Sequence, residues 1–283
     1  MNIKSLESAG FETIASAFNE AFCKYEVQIS KQELSLMLKR RGFVPELSFG
    51  AFDDERLVSF TLNGIGFYNG VLTAYDTGTG TLEEYRGKGL ASEVFNYSLP
   101  FLKKAGVTRY LLEVLQHNSQ AVSVYKKQGF SILREFGYYR IKQSDIKLKA
   151  LLKSPRLTFT EISFESLSTC TSFPDFIPSW QNSLESISRS PENFKIIGAQ
   201  YEDNLVGYCV MEPDSGDITQ IAVDKKYRRQ GIGTLVLAQA LKLNKCDSIK
   251  IVNTELTCDS ISGFLESNSI PLSGKQYEMI KQL

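Results

Sequence analysis

One histidine and one tryptophan stand in 283 residues, and the formal charges cancel, 32 Lys and Arg against 32 Asp and Glu. A lone His117 with no partner motif argues against a Ser/His/Asp triad and against a histidine-based metal site, so no metal is expected. Charge balance argues against a chain devoted to nucleic acid, although a local basic patch is compatible with it. No run of roughly 18 apolar residues occurs, so no spanning helix and no membrane partner are expected. Met1 to Gly10 carries no apolar signal core. The five cysteines (Cys23, Cys170, Cys209, Cys246, Cys258) are odd in number, scattered and without a Cys-x-x-Cys pair. They read as reduced thiols, mostly packing residues, in a cytoplasmic protein. Nucleotide fingerprints are missing too. Gly87-Lys88 runs into Gly89 rather than a metal-binding hydroxyl. Gly78-Thr79-Gly80 lacks the third glycine of a dinucleotide loop.

What the chain does have is a repeat. Tyr85-Arg86-Gly87-Lys88-Gly89-Leu90-Ala91 and Tyr227-Arg228-Arg229-Gln230-Gly231-Ile232-Gly233 lie 142 positions apart. Both fit Arg-x-x-Gly-x-(Gly/Ala), and each follows an extended apolar segment and opens an amphipathic helix. Around them the order of elements also repeats. Ile14, Ala17, Phe18, Ala21 and Phe22 recur at helical spacing, as do Leu34, Met37 and Leu38 before a stop at Gly42. Leu47 to Phe52, Leu57 to Phe67 and Val71 to Leu82 read as strands. A helix from Lys88 to Ala105 carries Pro100, which predicts a kink or a break. Thr108 to Leu115 is a strand, Asn118 to Gln128 a capped helix ended by Gly129, and Phe130 to Ile141 a last strand region.

Residues 143–156, with Pro155, read as a connector. Leu157 to Ile162, a helical region over Phe176 to Ile187, and a hairpin of Phe194 to Tyr201 with Leu205 to Met211 follow. The strand Asp217 to Val223, the helix Ile232 to Leu243 and the strand Ser248 to Val252 complete the second copy. With 42% hydrophobic residues, two ordinary domains are expected, at residues 1–145 and 156–283, each α+β.

The repeated turn suits a diphosphate. Its glycines leave main-chain amides uncrowded at the positive end of a helix, beside a cation. A ligand-free strand-to-helix turn is the plainer alternative, which one copy would not exclude but two copies in the same context disfavour. The Gly/Thr-rich strand before the first turn also leaves room for an extended chain to lie alongside it.

On these residues both halves resemble domains of the GNAT superfamily of acyl-CoA-dependent N-acyltransferases. Its (Gln/Arg)-x-x-Gly-x-(Gly/Ala) signature is matched by Arg86, Gly89 and Ala91, and again by Arg228, Gly231 and Gly233. The resemblance implies two tandem domains, each a mixed, mostly antiparallel sheet flanked by helices, with two central strands splayed to admit acetyl-CoA or another acyl-CoA. It implies a diphosphate held by Arg86, Gly87, Lys88, Gly89, Leu90 and Ala91 in the first half. In the second half the counterparts are Arg228, Arg229, Gln230, Gly231, Ile232, Gly233 and Thr234. It also implies that pantetheine amides pair with the preceding strands, ending at Thr81 and Leu82 and at Ile221, Ala222 and Val223. An open strand edge can satisfy those amides.

The first half continues with Asn118, Ala121, Tyr125, Gly129 and Phe130, close to the family's Asn-x-x-Ala-x-x-x-Tyr-x-x-x-Gly-Phe stretch. The resemblance assigns Tyr125 as acid for the departing thiolate, with Asn118 beside the carrier. A phenol on a short helix can also be a packing residue. In the second half Phe264 or Leu265 takes the tyrosine's place, depending on register, and Asn268 stands in for the helix-ending glycine. Asp76 and Glu113 in the first half and Asp217 in the second are candidate bases. Trp180, Phe67-Tyr68 and Tyr138-Tyr139 are pocket-wall or core residues.

The expected reaction is transfer of an acyl group, most simply acetyl, to a primary amine on a small molecule or a peptide. Three alternatives stay open: catalysis confined to the second half, a non-catalytic acyl-CoA sensor, and a nucleotide-binding module. The acceptor and the oligomeric state are not specified by the sequence.

Overall fold

The structure is a computed structural model that describes residues 1–24, 28–148 and 156–283. The described chain forms two compact units, Met1–Leu133 with Glu278–Leu283, and Arg134–Tyr277.

The first unit runs β1 (Asn2–Ser5), α1 (Phe11–Ala21), α2 (Lys31–Arg41), β2 (Phe49–Asp53), β3 (Arg56–Tyr68), β4 (Val71–Thr81), α3 (Leu90–Lys104), β5 (Arg109–Leu115) and α4 (Ser119–Lys127). Its strands lie in the order β1-β2-β3-β4-β5, antiparallel except for the parallel β4–β5 pair. Local chemistry sets the helix ends. Ser30 and Glu33 form a capping box at the start of α2, and Gly42 closes it at φ 75°. Asn118 accepts from the Ala121 amide at 3.1 Å to start α4. Pro100 does not break its helix, which is continuous from Leu90 to Lys104. It lies near the C-terminal end, where the loss of one amide donor removes a single rung. Ile14, Ala17, Phe18 and Ala21 of α1 bury against Phe60 and Leu62 of β3. The strand glycines serve this packing. A Cβ on Gly78 would meet the Phe18 ring at 2.9 Å, and one on Gly80 the Phe60 ring at 2.6 Å. On this face of β4 the glycines make room for α1 and the Phe60 ring.

The second unit holds β6 (Ser131–Lys142, from Arg134 on), β7 (Leu157–Glu161), α5 (Phe164–Ser168), α6 (Leu184–Ser188), β8 (Lys195–Tyr201), β9 (Asn204–Glu212), β10 (Asp217–Val223), α7 (Ile232–Leu241), β11 (Ser248–Glu255), α8 (Asp259–Ser267) and the start of β12 (Gly274–Gln282). Here the order is β6-β11-β10-β9-β8-β7, again antiparallel except for one parallel pair, β10–β11. Both units are therefore α+β with mixed sheets. The division differs from the expected 1–145 and 156–283. Residues 134–145 belong to the second compact unit and Glu278–Leu283 to the first. Of the expected connector, Gln143–Asp145 form a single 3-10 turn, and residues 149–155 lie outside the described residues. The helical region expected over 176–187 is smaller, a 3-10 turn at Trp180–Asn182 and the short α6. Pro178 and the Ser183 cap divide it.

Two parallel pairs come apart. β4 and β5 are in register only at Thr73↔Arg109, Ala74↔Tyr110 and Tyr75↔Leu111. β10 and β11 meet only at Asp217↔Lys250. Just beyond these points β4 and β10 themselves bulge against their outer neighbours, β3 and β9, at Thr77 and at Thr219. A bulge adds twist and turns a strand away from its partner. Each sheet thus opens a wedge that ends at an Arg-Gly turn.

Candidate active site

Both turns are built in the same way. Gly87 and Gly89 have φ of 75° and 81°, and Arg229 and Gly231 have φ of 63° and 82°. The left-handed residues alternate, so the intervening amides point outward from the turn. A Cβ on Gly87 or Gly89 would meet nothing within 4 Å. These glycines are needed for backbone conformation, and the space over them is open. Neither Gly89 nor Gly231, the helix N-caps, supplies a side-chain cap. The first-turn donors of α3 and α7 are therefore available to an anion.

The two arginines work as struts. Arg86 Nε donates to the Thr81 carbonyl at 3.0 Å and Nη2 to the Ala21 carbonyl at 2.7 Å. Arg228 Nε donates to the Val223 carbonyl at 3.0 Å and Nη2 to the Phe173 carbonyl at 2.8 Å. Its Nη1 also grips the Asp175 carboxylate at 2.7 and 3.0 Å. In both halves the guanidinium ties the end of the central strand to the segment entering from the other side of the sheet. Leu82 and Leu90 are core side chains, so only their main chain faces the turn. Thr81 Oγ1 is engaged with Ser59 Oγ at 2.8 Å, and the Asn118 side chain is occupied in capping.

In the wedge of the first unit, Asp76 sits directly before the bulge. Its Oδ1 accepts from the Gly78 amide and its Oδ2 from Thr79 Oγ1, both at 2.9 Å. Tyr125 Oη, from α4, lies 3.4 Å from the same Oδ2. That is longer than an ordinary O–H···O bond, and contacts of this kind tighten when substrate fills a site. Burial pushes the Asp76 carboxyl up to about 6, against the hydrogen bonds of Thr79, Gly78 and Tyr125 and the nearby Arg41 charge. Arg41, from the last turn of α2, donates to the Thr77 carbonyl at 3.1 Å and lies 5.9 Å from the Tyr75 ring centre. Glu113 is drawn elsewhere, since its carboxylate accepts from the buried Tyr75 hydroxyl. Tyr110 Oη donates to Asn63 Oδ1 at 2.5 Å and stiffens the wedge floor. The sequence reading overlooked Arg41, Tyr75, Tyr110 and Asn63. The one sequence signal for any of them is the basic run Lys39-Arg40-Arg41 that ends α2.

The second unit repeats the frame with different groups. Counting ten residues back from the motif arginine, Ile218 stands where Asp76 does, each one residue before the bulge. The end of the helix settles the other register. The Phe130 amide donates to the Tyr125 carbonyl, and the Ile270 amide to the Leu265 carbonyl. Leu265, fully buried, is therefore the counterpart of Tyr125, and Phe264 is not. The left-handed residue after α8 is Ser269, φ 60°, rather than Asn268. Asn268 Nδ2 instead bonds back to the Phe264 carbonyl at 2.9 Å. Asp217 is buried at the wedge vertex.

A cleft of about 340 Å³ runs from the Arg229–Thr234 turn along Ile218–Val223 to Tyr208 and Asn182. Its outer wall is the Phe173–Pro178 segment. That segment is held by Arg228 and by Ser260, which donates to Asp175 at 2.5 Å, and by Arg134 Nη1, which donates to the Ile177 carbonyl at 2.6 Å. Burial alone would raise the Asp175 carboxyl, yet Ser260 and Arg228 hold it below its ordinary value. Trp180 is buried, 1% exposed. Among the described residues no group of three or more His, Cys, Asp and Glu is arranged to hold a metal.

A splayed parallel pair, a bulged central strand and an uncapped glycine turn, present twice, define a tandem acyltransferase-type frame. The Acetyltransferase (GNAT) family model matches residues 12–130 and 161–259, and the chain belongs to that family. N-alpha-acetyltransferase 30 of Schizosaccharomyces pombe is 29% identical over 135 residues, covering 45% of this chain and 90% of that protein. YobR of Bacillus subtilis, an uncharacterized N-acetyltransferase, is 35% identical over 140 residues, 42% of this chain and 53% of that protein. Among solved structures, the tandem GNAT protein from the clavulanic acid biosynthesis pathway superposes with a TM-score of 0.76 at 11% identity, over 99% of this chain and 98% of that one. That likeness is one of fold. No described helix is long and apolar enough to cross a membrane.

Proposed function

We propose that the chain transfers an acyl group, most simply acetyl, from acyl-CoA to a primary amine, and that the reaction takes place in the first unit. The observation that carries this reading is the meeting of Asp76 and Tyr125, 3.4 Å apart, inside a splayed wedge above an uncapped helix start. The acyl donor supplies an activated thioester and a diphosphate handle. The outward amides from Gly87 to Ala91 fit the handle, and the β4 edge past Tyr75 fits the amides of the pantetheine arm. Arg86 shapes this turn, because its Nε and Nη2 already go to the Thr81 and Ala21 carbonyls.

An amine must lose a proton as it attacks. Asp76, with its carboxyl near 6, is largely ionised at neutral pH and basic enough to take that proton. Its hydrogen bonds from Gly78 and Thr79 fix the direction of the carboxylate. Tyr125 Oη, donating to the departing sulfur, stabilises the thiolate and can deliver a proton to it. Glu113, bonded to Tyr75, acts as a support in this scheme rather than as the base. Ile218 and Leu265 offer neither a base nor an acid at the matching positions, which speaks against catalysis confined to the second unit.

The test is thiol release from acetyl-CoA against a panel of primary amines. Short peptides with free α-amino groups come first, since two relatives are named N-alpha-acetyltransferases. Tyr125→Phe is expected to lower turnover by ~10²-fold with acetyl-CoA affinity nearly unchanged. Unchanged turnover would remove Tyr125 from the mechanism.

A further inference from the structure

The wedge of the second unit is closed at one end by its own chain. Gln220, on β10, sends Nε2 to the Asn182 carbonyl at 2.5 Å. The Asn182 side chain donates through Nδ2 to the Val252 carbonyl of β11 at 2.8 Å. One residue thus bridges both splayed strands. The bridge is fastened on each side. Tyr208 Oη donates to Gln220 Oε1 at 2.8 Å, and Asn253 Nδ2 donates to Ser179 Oγ at 2.8 Å. Ser179, Trp180, Asn182 and Ser183 are all buried. Asn182 lines the cleft at the end away from the Arg229–Thr234 turn. The bridge lies on the sheet face that carries Tyr208, Val210 and Ile187, opposite the α7 core. In an open wedge this is where an amine would reach the thioester from the face opposite the helix that begins at the turn.

We propose that the second unit is a blind acyl-CoA receptor. It admits coenzyme A and its short-chain thioesters from the turn side, but the Ser179–Ser183 plug keeps out both an acceptor amine and a long acyl chain. Two independent features agree with this. The residues at the acid and base positions are hydrocarbon, and the polar groups at the blind end are paired with one another, so they do not await a substrate. The inference shares with the proposed function only the entry of acyl-CoA into a GNAT wedge. It does not depend on Asp76 or Tyr125.

Trp180, the single tryptophan of the chain, sits inside the plug and reports on this unit alone. Its emission is followed on the full-length protein during titration with acetyl-CoA, coenzyme A and octanoyl-CoA, with free N-acetyltryptophanamide as the inner-filter control. Acetyl-CoA and coenzyme A are expected to change the emission saturably. Octanoyl-CoA is expected to bind this unit about tenfold more weakly or worse, and Asn182→Gly to narrow that gap. No response to acetyl-CoA, or equal affinity for octanoyl-CoA in the wild type, overturns the proposal. Wild-type transfer by the Asp76→Asn/Tyr125→Phe double variant overturns its non-transferring character. If the first-unit mechanism alone is wrong, turnover survives Tyr125→Phe while the Trp180 response to acetyl-CoA remains, and the two failures are told apart.

Discussion

Asp76→Asn is the substitution with the most revealing pair of effects, because it should make the protein less active and, at neutral pH, relatively more stable. The carboxyl rises from its ordinary 3.8 to about 6 through burial. The folded state therefore holds a proton in a window where the unfolded chain has released it. Between about pH 4 and pH 6 the unfolded state binds fewer protons at this group, so stability contributed here is full below 4 and falls as pH rises. At ~1.4 kcal/mol for each pKa unit, the whole window is worth up to ~3 kcal/mol. Asparagine removes the titration and keeps the shape. Its oxygen can still accept from the Gly78 amide, and its amide can donate to the hydroxyls of Thr79 and Tyr125.

The measurement is urea unfolding of wild type and variant at pH 4 and pH 7, followed by circular dichroism. The variant-minus-wild-type difference should shift in the variant's favour by ~1–3 kcal/mol on going to pH 7. Groups unaffected by the substitution cancel in that comparison. With an amine that supports turnover, the variant should lose ~10²–10⁴-fold in kcat/KM, as expected when a general base is removed. The wild-type acidic limb near pH 6 should vanish from what activity is left. A stability difference that does not change with pH, together with a retained acidic limb, would refute both the raised pKa and the role as base.

Arg228→Ala removes the donors to the Val223 and Phe173 carbonyls and leaves the Asp175 carboxylate to Ser260 and Lys225. It is expected to destabilise by ~2–4 kcal/mol and to speed proteolysis within the Phe173–Pro178 segment, read by limited digestion and mass spectrometry. Gly89→Ala puts a Cβ on a residue with φ 81°. It should cost ~1–2 kcal/mol in a melting experiment and weaken the protection that acetyl-CoA gives the protein against heat. Gly10→Ala, where a Cβ meets nothing within 4 Å and φ is −61°, is the control. Because Gly10 caps α1, the variant's melting temperature can move, but the protection that acetyl-CoA gives should stay within experimental error of wild type.

The frame was readable because it rests on local rules that leave a mark in sequence. Asp217–Val223 was bounded by its alternation and by the turn after it, and it forms over that span. The Asn118 cap and the Gly42 and Gly129 stops are choices of residue type that only a helix end requires. The places where the reading failed have no such mark. Of the kink or break that Pro100 suggests, the break does not occur: the helix runs from Leu90 to Lys104 with Val94, Phe95 and Leu102 buried along it. The helical region expected over 176–187 has apolar residues at fair spacing, yet Pro178 and the Ser183 cap divide it. The Asn182 bridge and the Asp76–Tyr125 contact are long-range events. They depend on where strands part, and strand parting follows from bulges that leave little imprint in the alternation of side chains. Glu113 and Asp76 were indistinguishable as letters. Only the Tyr75 hydroxyl, delivered by the parallel register of β4 and β5, separates them.

The two halves show how one frame can keep its shape while its chemistry changes. Both motif arginines bond the carbonyl five residues earlier and a second carbonyl from the opposite segment. The retained part of the repeat is therefore the part that builds the turn. The groups that would do chemistry are not needed for that. Asp76 carries a desolvation cost in the fold, whereas Ile218 carries none, and Leu265 packs into a core where Tyr125 must leave its hydroxyl exposed to a wedge. Once a second copy no longer has to react, burial energy favours these hydrocarbon replacements. A closed polar seal such as Asn182 between Gln220 and Val252 is then tolerated, because no acceptor has to pass. The same energetics predicts that returning the acid alone, by Leu265→Tyr, buries a hydroxyl in the core of the second unit and gains no transfer, since Ile218 still offers no base and the bridge still shuts the amine out.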